Sequence, residues 1–226
     1  MTVPGPFEAV LFDLDGVLVD SEPWWNDVRI AFARAHDRPW TVDDHHAVMG
    51  ANSRAWALTM QERLDLPDVD PDEIQDAIVS GVVERYRTAP PPVIPGATEA
   101  VRRIAQRLPV AIASSAHPDV IAAAIDALGL RDVLGSIVSS DEVPHGKPAP
   151  DVYLVAASQL GVDPGRCLVV EDSLNGVKAG KAAGMFVVLI PNASVPPPAG
   201  TDELADAVVD TLSDLDPDRI RPAPTA

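Results

Sequence analysis

Six short apolar runs, each halted by a polar or turn-forming residue, constrain this chain more than any other feature. They are Ala9 to Phe12 before Asp13, Val110 to Ala113 before Ser114, Ser136 to Ser139 before Ser140-Asp141, Leu168 to Val170 before Glu171-Asp172, Phe186 to Ile190 before Pro191, and Ala207 to Val209 before Asp210. Runs that are apolar at most successive positions read as strands buried on both faces. Between them lie helical periodicities, with Ala100, Val101, Ile104 and Leu108 in Gly96 to Leu108, and Ile121, Ile125 and Leu128 in Pro118 to Leu128. Asp151 to Leu160 and Gly176 to Ala183 follow the same rule. Strand and helix in alternation predict an α/β fold, a doubly wound parallel sheet with a Rossmann-like core. In such sheets ligands sit at the carboxyl ends of the strands, where the polar residues fall.

Residues 21–88 break the alternation. Trp24 to Ala35, Thr41 to Met49, Ser53 to Leu64 and Asp72 to Tyr86 are amphipathic, with turns at Asp65-Leu66-Pro67 and Asp70-Pro71. This predicts an all-α helical-bundle cap over 21–88, inserted into a core made of 1–20 and 89–226. Ala89-Pro90-Pro91-Pro92 stiffens the return crossing, and the tail from Pro217 is expected to be disordered.

A net charge of −17 argues against binding nucleic acid through its phosphates. One cysteine, Cys167, excludes an internal disulfide and a multi-thiolate metal site, and its place at the start of a buried strand suggests packing. The apolar runs are far shorter than the ~20 residues that span a membrane. With no leader pattern at the N-terminus, the expectation is a cytoplasmic protein, and nothing argues against a monomer. Only three of the 17 basic residues are lysine: Lys147, Lys178 and Lys181.

Asp13 and Asp15 stand two apart at a strand end and are followed by Gly16. They are either capping aspartates or a carboxylate pair for a divalent cation. Glu171-Asp172 repeats the arrangement, with Ser173 as a helix cap. Two acidic strand ends on the same side of one sheet favour a metal site. Ser114 and Ser115 close another strand and are either turn residues or holders of a phosphate oxygen. Lys147 sits in His145-Gly146-Lys147-Pro148-Ala149-Pro150, where glycine and proline present it from a rigid turn.

Together these pieces resemble the haloacid dehalogenase-like hydrolase superfamily. The resemblance rests on Asp13-Leu14-Asp15-Gly16-Val17-Leu18-Val19-Asp20-Ser21-Glu22, on Ser114, on Lys147-Pro148, and on Glu171-Asp172 with Ser173 and Gly176. It covers about residues 8 to 210, and its nearest branch is the β-phosphoglucomutase-like and sugar-phosphate phosphatase group. The resemblance implies that Asp13 is the nucleophile and forms an aspartyl-phosphate, and that Asp15 is the general acid/base. It implies that Ser114, Ser115 and Lys147 hold the phosphoryl oxygens. Magnesium (Mg2+) would be held by Asp13, Asp15, Asp172 and Glu171, the last directly or through water.

The same comparison separates the branches. Asp15 is absent from dehalogenases, and the lysine of phosphonate-cleaving caps is absent here. A β-phosphoglucomutase-type isomerase is the alternative, yet its cap histidine is replaced by Trp24 or Trp25, and its cap lysine is missing unless Arg85 or Arg87 substitutes. A phosphatase of small phosphorylated metabolites, sugar phosphates first among them, is therefore expected. Arg54 falls where related caps contact substrate, or is a surface helix arginine. Trp24, Trp25, Trp40 and Trp56 read mostly as cap core, with one able to stack on a ligand. His36, His45 and His46 read as solvated helix residues.

Overall fold

A computed structural model describes residues 6–220. Strands β1 (Ala9–Phe12), β2 (Val110–Ser114), β3 (Ser136–Ser139), β4 (Cys167–Glu171), β5 (Phe186–Leu189) and β6 (Ala207–Val208) form one sheet. All pairs are parallel, in the order β3-β2-β1-β4-β5-β6. Because β2 and β4 flank β1, chain direction across the sheet reverses there, and the crevice beyond β1 and β4 is the topological switch point.

Side-chain alternation along the strands divides the core into two layers. Val10, Phe12, Ile112 and Val170 pack on one face, together with apolar residues of α5 (Ala97–Ala105) and α6 (Pro118–Leu128). Leu11, Ala113, Val169 and Val187 pack on the other against α7 (Asp151–Leu160) and α8 (Leu174–Ala182). A short α9 (Thr201–Leu204) precedes β6. Both faces are covered, which is why these strands lack a polar side.

Between β1 and β2 lie α1 (Glu22–Ala35), α2 (Val42–Val48), α3 (Ser53–Arg63) and α4 (Pro71–Thr88). Their starts follow local chemistry. Thr41 and Asp44 form a capping box, the Asn52 side chain accepts from Ala55 N–H, and Asp70 caps a helix whose first residue is proline. Helix α4 packs against α1 and α3 and also against α6, so it joins this bundle to the sheet layer. A second tie is polar: Ser53 N–H donates to the Asp141 carboxylate over 3.0 Å.

The chain beyond Pro217 departs from the expected disorder as far as it is described. Ile220 packs on the core, and Arg107 bonds the Asp218 carboxylate. Pro222 and Pro224 lie outside the described residues. Among the described residues no helix is long and apolar enough to cross a membrane.

Candidate active site

Asp13 is the first residue past β1, and its N–H still donates to Val170 O on β4 at 3.0 Å. The parallel register that pairs Phe12 with Val170 therefore sets Asp13 beside the end of β4, where Glu171 and Asp172 stand. Carboxylate oxygens of Asp13, Glu171 and Asp172 can all lie within 4.8 Å of one another, and all three residues are buried. One cation meets them. Lys147, its side chain 4% exposed, places Nζ 2.7 Å from Asp13 Oδ1 and 2.6 Å from Glu171 Oε1.

Glu171 is saturated. Oε1 accepts from Lys147 and from the Tyr153 hydroxyl at 2.7 Å, while Oε2 accepts from Asp172 N–H, Ser173 N–H and Ser173 Oγ. The start of α8 is pressed against it, so closely that a methyl group on Gly176 would fall inside the carboxylate. Lys147 and these donors hold the Glu171 carboxyl below its usual range despite burial. Its fellows go the other way. Burial pushes Asp13 up to about 7, against the pull of Lys147, and burial with the charges of Glu171 and Asp13 drives Asp172 well above the carboxylate range.

Three buried carboxylates around one ammonium leave negative charge uncompensated, and hard oxygen donors in this number suit a divalent cation. Gly16, at φ +85°, lets the loop after β1 run against Asp172; a side chain there would collide with its carboxylate. Asp15 lies on the helical side of the crevice and accepts a hydrogen bond from Ser21 Oγ. Burial raises its carboxyl, and the neighbouring charge of Glu22 adds to the rise.

Ser114 ends β2, fully buried, with Oγ accepting from Ala116 N–H at 3.0 Å. It borders the same crevice, of about 360 Å³, as do Ser115, Asp13, Asp15, Lys147 and Asp172. That volume is in the range of small-ligand sites.

Arg54 is not brought there. Its side chain is 77% exposed and faces Asp72 at 3.9 Å. Arg29 occupies the crevice wall instead, 4% exposed and bonded through Nη1 to Glu22 Oε1 at 3.2 Å. Sequence reasoning missed it, although Glu22, Trp25 and Arg29 recur at spacings that share one face of α1. Two of the four tryptophans, Trp25 and Trp56, line the crevice rather than one. Trp24 packs edge-on against Tyr86, and Trp40 donates to Asn26. His45 departs from the expected solvated state: it is half-buried, with Nε2 3.5 Å from Glu22 Oε1. His36 bonds to Phe32 O and His46 is exposed. Cys167 is buried, its thiol pushed up to about 11, so it is unreactive packing.

Similarity to known proteins agrees with this geometry. The family profile of haloacid dehalogenase-like hydrolases matches residues 7–184. Hexitol phosphatase B of Escherichia coli K12 is 30% identical, over 95% of this chain and 97% of its own. The bifunctional riboflavin kinase/FMN phosphatase of Arabidopsis thaliana is 33% identical over 92% of this chain, which spans only 54% of that protein. The crystal structure of CbbY from Rhodobacter sphaeroides in complex with phosphate superposes with a TM-score of 0.79 at 24% identity, over 92% of this chain and 96% of that one, a likeness of fold. With the profile covering most of the chain and the carboxylates converging at the switch point, this protein belongs to the haloacid dehalogenase-like hydrolases.

Proposed function

We propose that the protein is a Mg2+-dependent phosphatase that hydrolyses monoesters of small phosphorylated metabolites, sugar phosphates foremost. The reading is carried by one observation: Lys147 and three buried carboxylates meet at the carboxyl ends of β1 and β4. The phosphatase names of the full-length relatives support it, hexitol phosphatase B among them.

Asp13 attacks phosphorus, the bond to the ester oxygen breaks, and an aspartyl-phosphate forms. Asp15, whose carboxyl is shifted upward by burial and so toward the acid role, gives a proton to the leaving alkoxide. It then takes a proton from water as that water attacks phosphorus, releasing phosphate and regenerating Asp13. Lys147 balances the charge of Asp13, and Ser114 with Ser115 orients the phosphoryl oxygens. Asp13, Asp172 and the main-chain carbonyl of Asp15 would hold the metal, with Glu171 completing the buried carboxylate cluster beside them. When bound, the divalent cation supplies the positive charge that an anionic nucleophile and an anionic ester both require. Residues 21–88 act as a cap over the crevice and exclude bulk water during turnover.

The test is phosphate release across a panel of phosphorylated metabolites, with Mg2+ and after chelation. Conversion of β-glucose 1-phosphate to glucose 6-phosphate is followed in parallel. Metal-dependent release without isomer formation is expected; isomer formation with little free phosphate contradicts the reading.

A further inference from the structure

Arg29 is a buried charge and Glu22 a partly buried one, and the hydrolytic chemistry uses neither. Both border the crevice from α1. The guanidinium lies 5.3 Å from the ring centre of Trp25 and 5.9 Å from that of Trp56, so it rests beside two indoles that pack edge-on with centres 6.1 Å apart. Nη1 bonds Glu22, whereas Nε is buried and has no partner among the described residues. Taking a guanidinium out of water while leaving one N–H idle is costly, and such a group is a natural point for a ligand to complete. Asp20 on the same wall also has a buried carboxylate oxygen, Oδ1, without a partner among the described residues.

Position tells which part of the substrate comes here. Arg29 and Asp15 are close enough for their charges to interact. Lys147 bonds the nucleophile on the phosphoryl side, whereas Asp15 serves the ester oxygen of the leaving group. Arg29 and Glu22 therefore face the leaving group.

The charges tell its chemistry. A second phosphate or a carboxylate would meet the carboxylates of Glu22, Asp20 and Asp15, with one guanidinium already paired. A hydroxyl group, by contrast, can accept from Arg29 and donate to Glu22 or Asp20 at once. We propose that Arg29 and Glu22 form a specificity pair that reads the hydroxyls of a neutral polyol leaving group and disfavours substrates with a second anionic group. The proposal rests on the phosphatase reading above and deepens it.

The test compares kcat/KM for glucitol 6-phosphate, fructose 1,6-bisphosphate and phenyl phosphate, with Mg2+, in the wild type, Arg29→Gln and Glu22→Gln. The wild type should prefer the polyol monophosphate to the bisphosphate by about tenfold or more. Each substitution should lower the ratio of polyol phosphate to phenyl phosphate by about 10- to 100-fold, the loss expected when a charge-assisted bond to a substrate hydroxyl disappears. Taking the ratio within each variant removes differences in folded fraction, and Glu22→Gln decides the matter if Arg29→Gln fails to fold. A wild type that prefers the bisphosphate overturns the proposal, as does a ratio that moves less than threefold in the variants. No metal-dependent release from any of the three esters would instead overturn the phosphatase reading and the pair with it.

Discussion

Lys147 Nζ stands 2.7 Å from Asp13 Oδ1, although 134 positions separate the two residues in the chain. The turn after β3 reaches back across the sheet edge to make this contact, and the ammonium is closed in by Glu171 and the ring of Tyr153, 4.9 Å away. A compact point charge fits this space; a planar guanidinium does not. Lys147→Ala and Lys147→Arg should each lower kcat by roughly 10²-fold or more, the scale for losing a preorganised electrostatic group. Steady-state kinetics on any accepted monoester checks this, and an arginine variant within threefold of wild type contradicts it.

Metal binding should be coupled to pH in a set direction. Asp13 titrates at about 7 in the folded metal-free protein, against 3.8 when unperturbed. The folded state therefore holds an extra proton between those values, and this group's contribution to stability is complete below pH ~4 and lost as pH rises through 7. Asp172 is shifted the same way. A divalent cation replaces that proton, so the rise in Tm on adding Mg2+ should be larger at pH 7.5 than at pH 5.5. Equal shifts at the two pH values contradict the account.

Gly176 tests whether Glu171 is held as tightly as its five hydrogen bonds imply. A methyl group there would overlap the carboxylate, whereas one on Gly184 would meet nothing within 4 Å. Gly176→Ala should destabilise the protein by about 2 kcal/mol and weaken metal binding, the usual effect of overpacking a site that cannot yield. Gly184→Ala, with φ +73°, should cost only about 1 kcal/mol through its backbone and leave metal affinity alone. Denaturant unfolding and metal titration measure both.

The strand ends were legible because a buried parallel strand must be apolar and must stop where it reaches a polar crevice. Asp13, Ser114, Glu171 and Asp172 all fall there, and the helices of 21–88 begin within two residues of their sequence signals. Side-chain direction was not legible in the same way. Arg54 follows the Asn52 cap by two positions, but the turn of α3 sends it outward to Asp72, while Arg29 is carried inward by the face that α1 buries. Both outcomes depend on how helices pack, which periodicity does not specify. The saturation of Glu171 was hidden for a similar reason, since Tyr153 reaches it from α7, 18 positions away.

The central claim is that Asp13 is the nucleophile of a metal-dependent phosphatase, and one comparison tests it most directly. Phosphate release from an accepted monoester should be measured at saturating Mg2+ for the wild type and Asp13→Asn. The amide cannot form the acyl-phosphate, so turnover should fall by roughly 10⁴-fold or more. An Asp13→Asn protein that releases phosphate within tenfold of the wild-type rate would contradict the account.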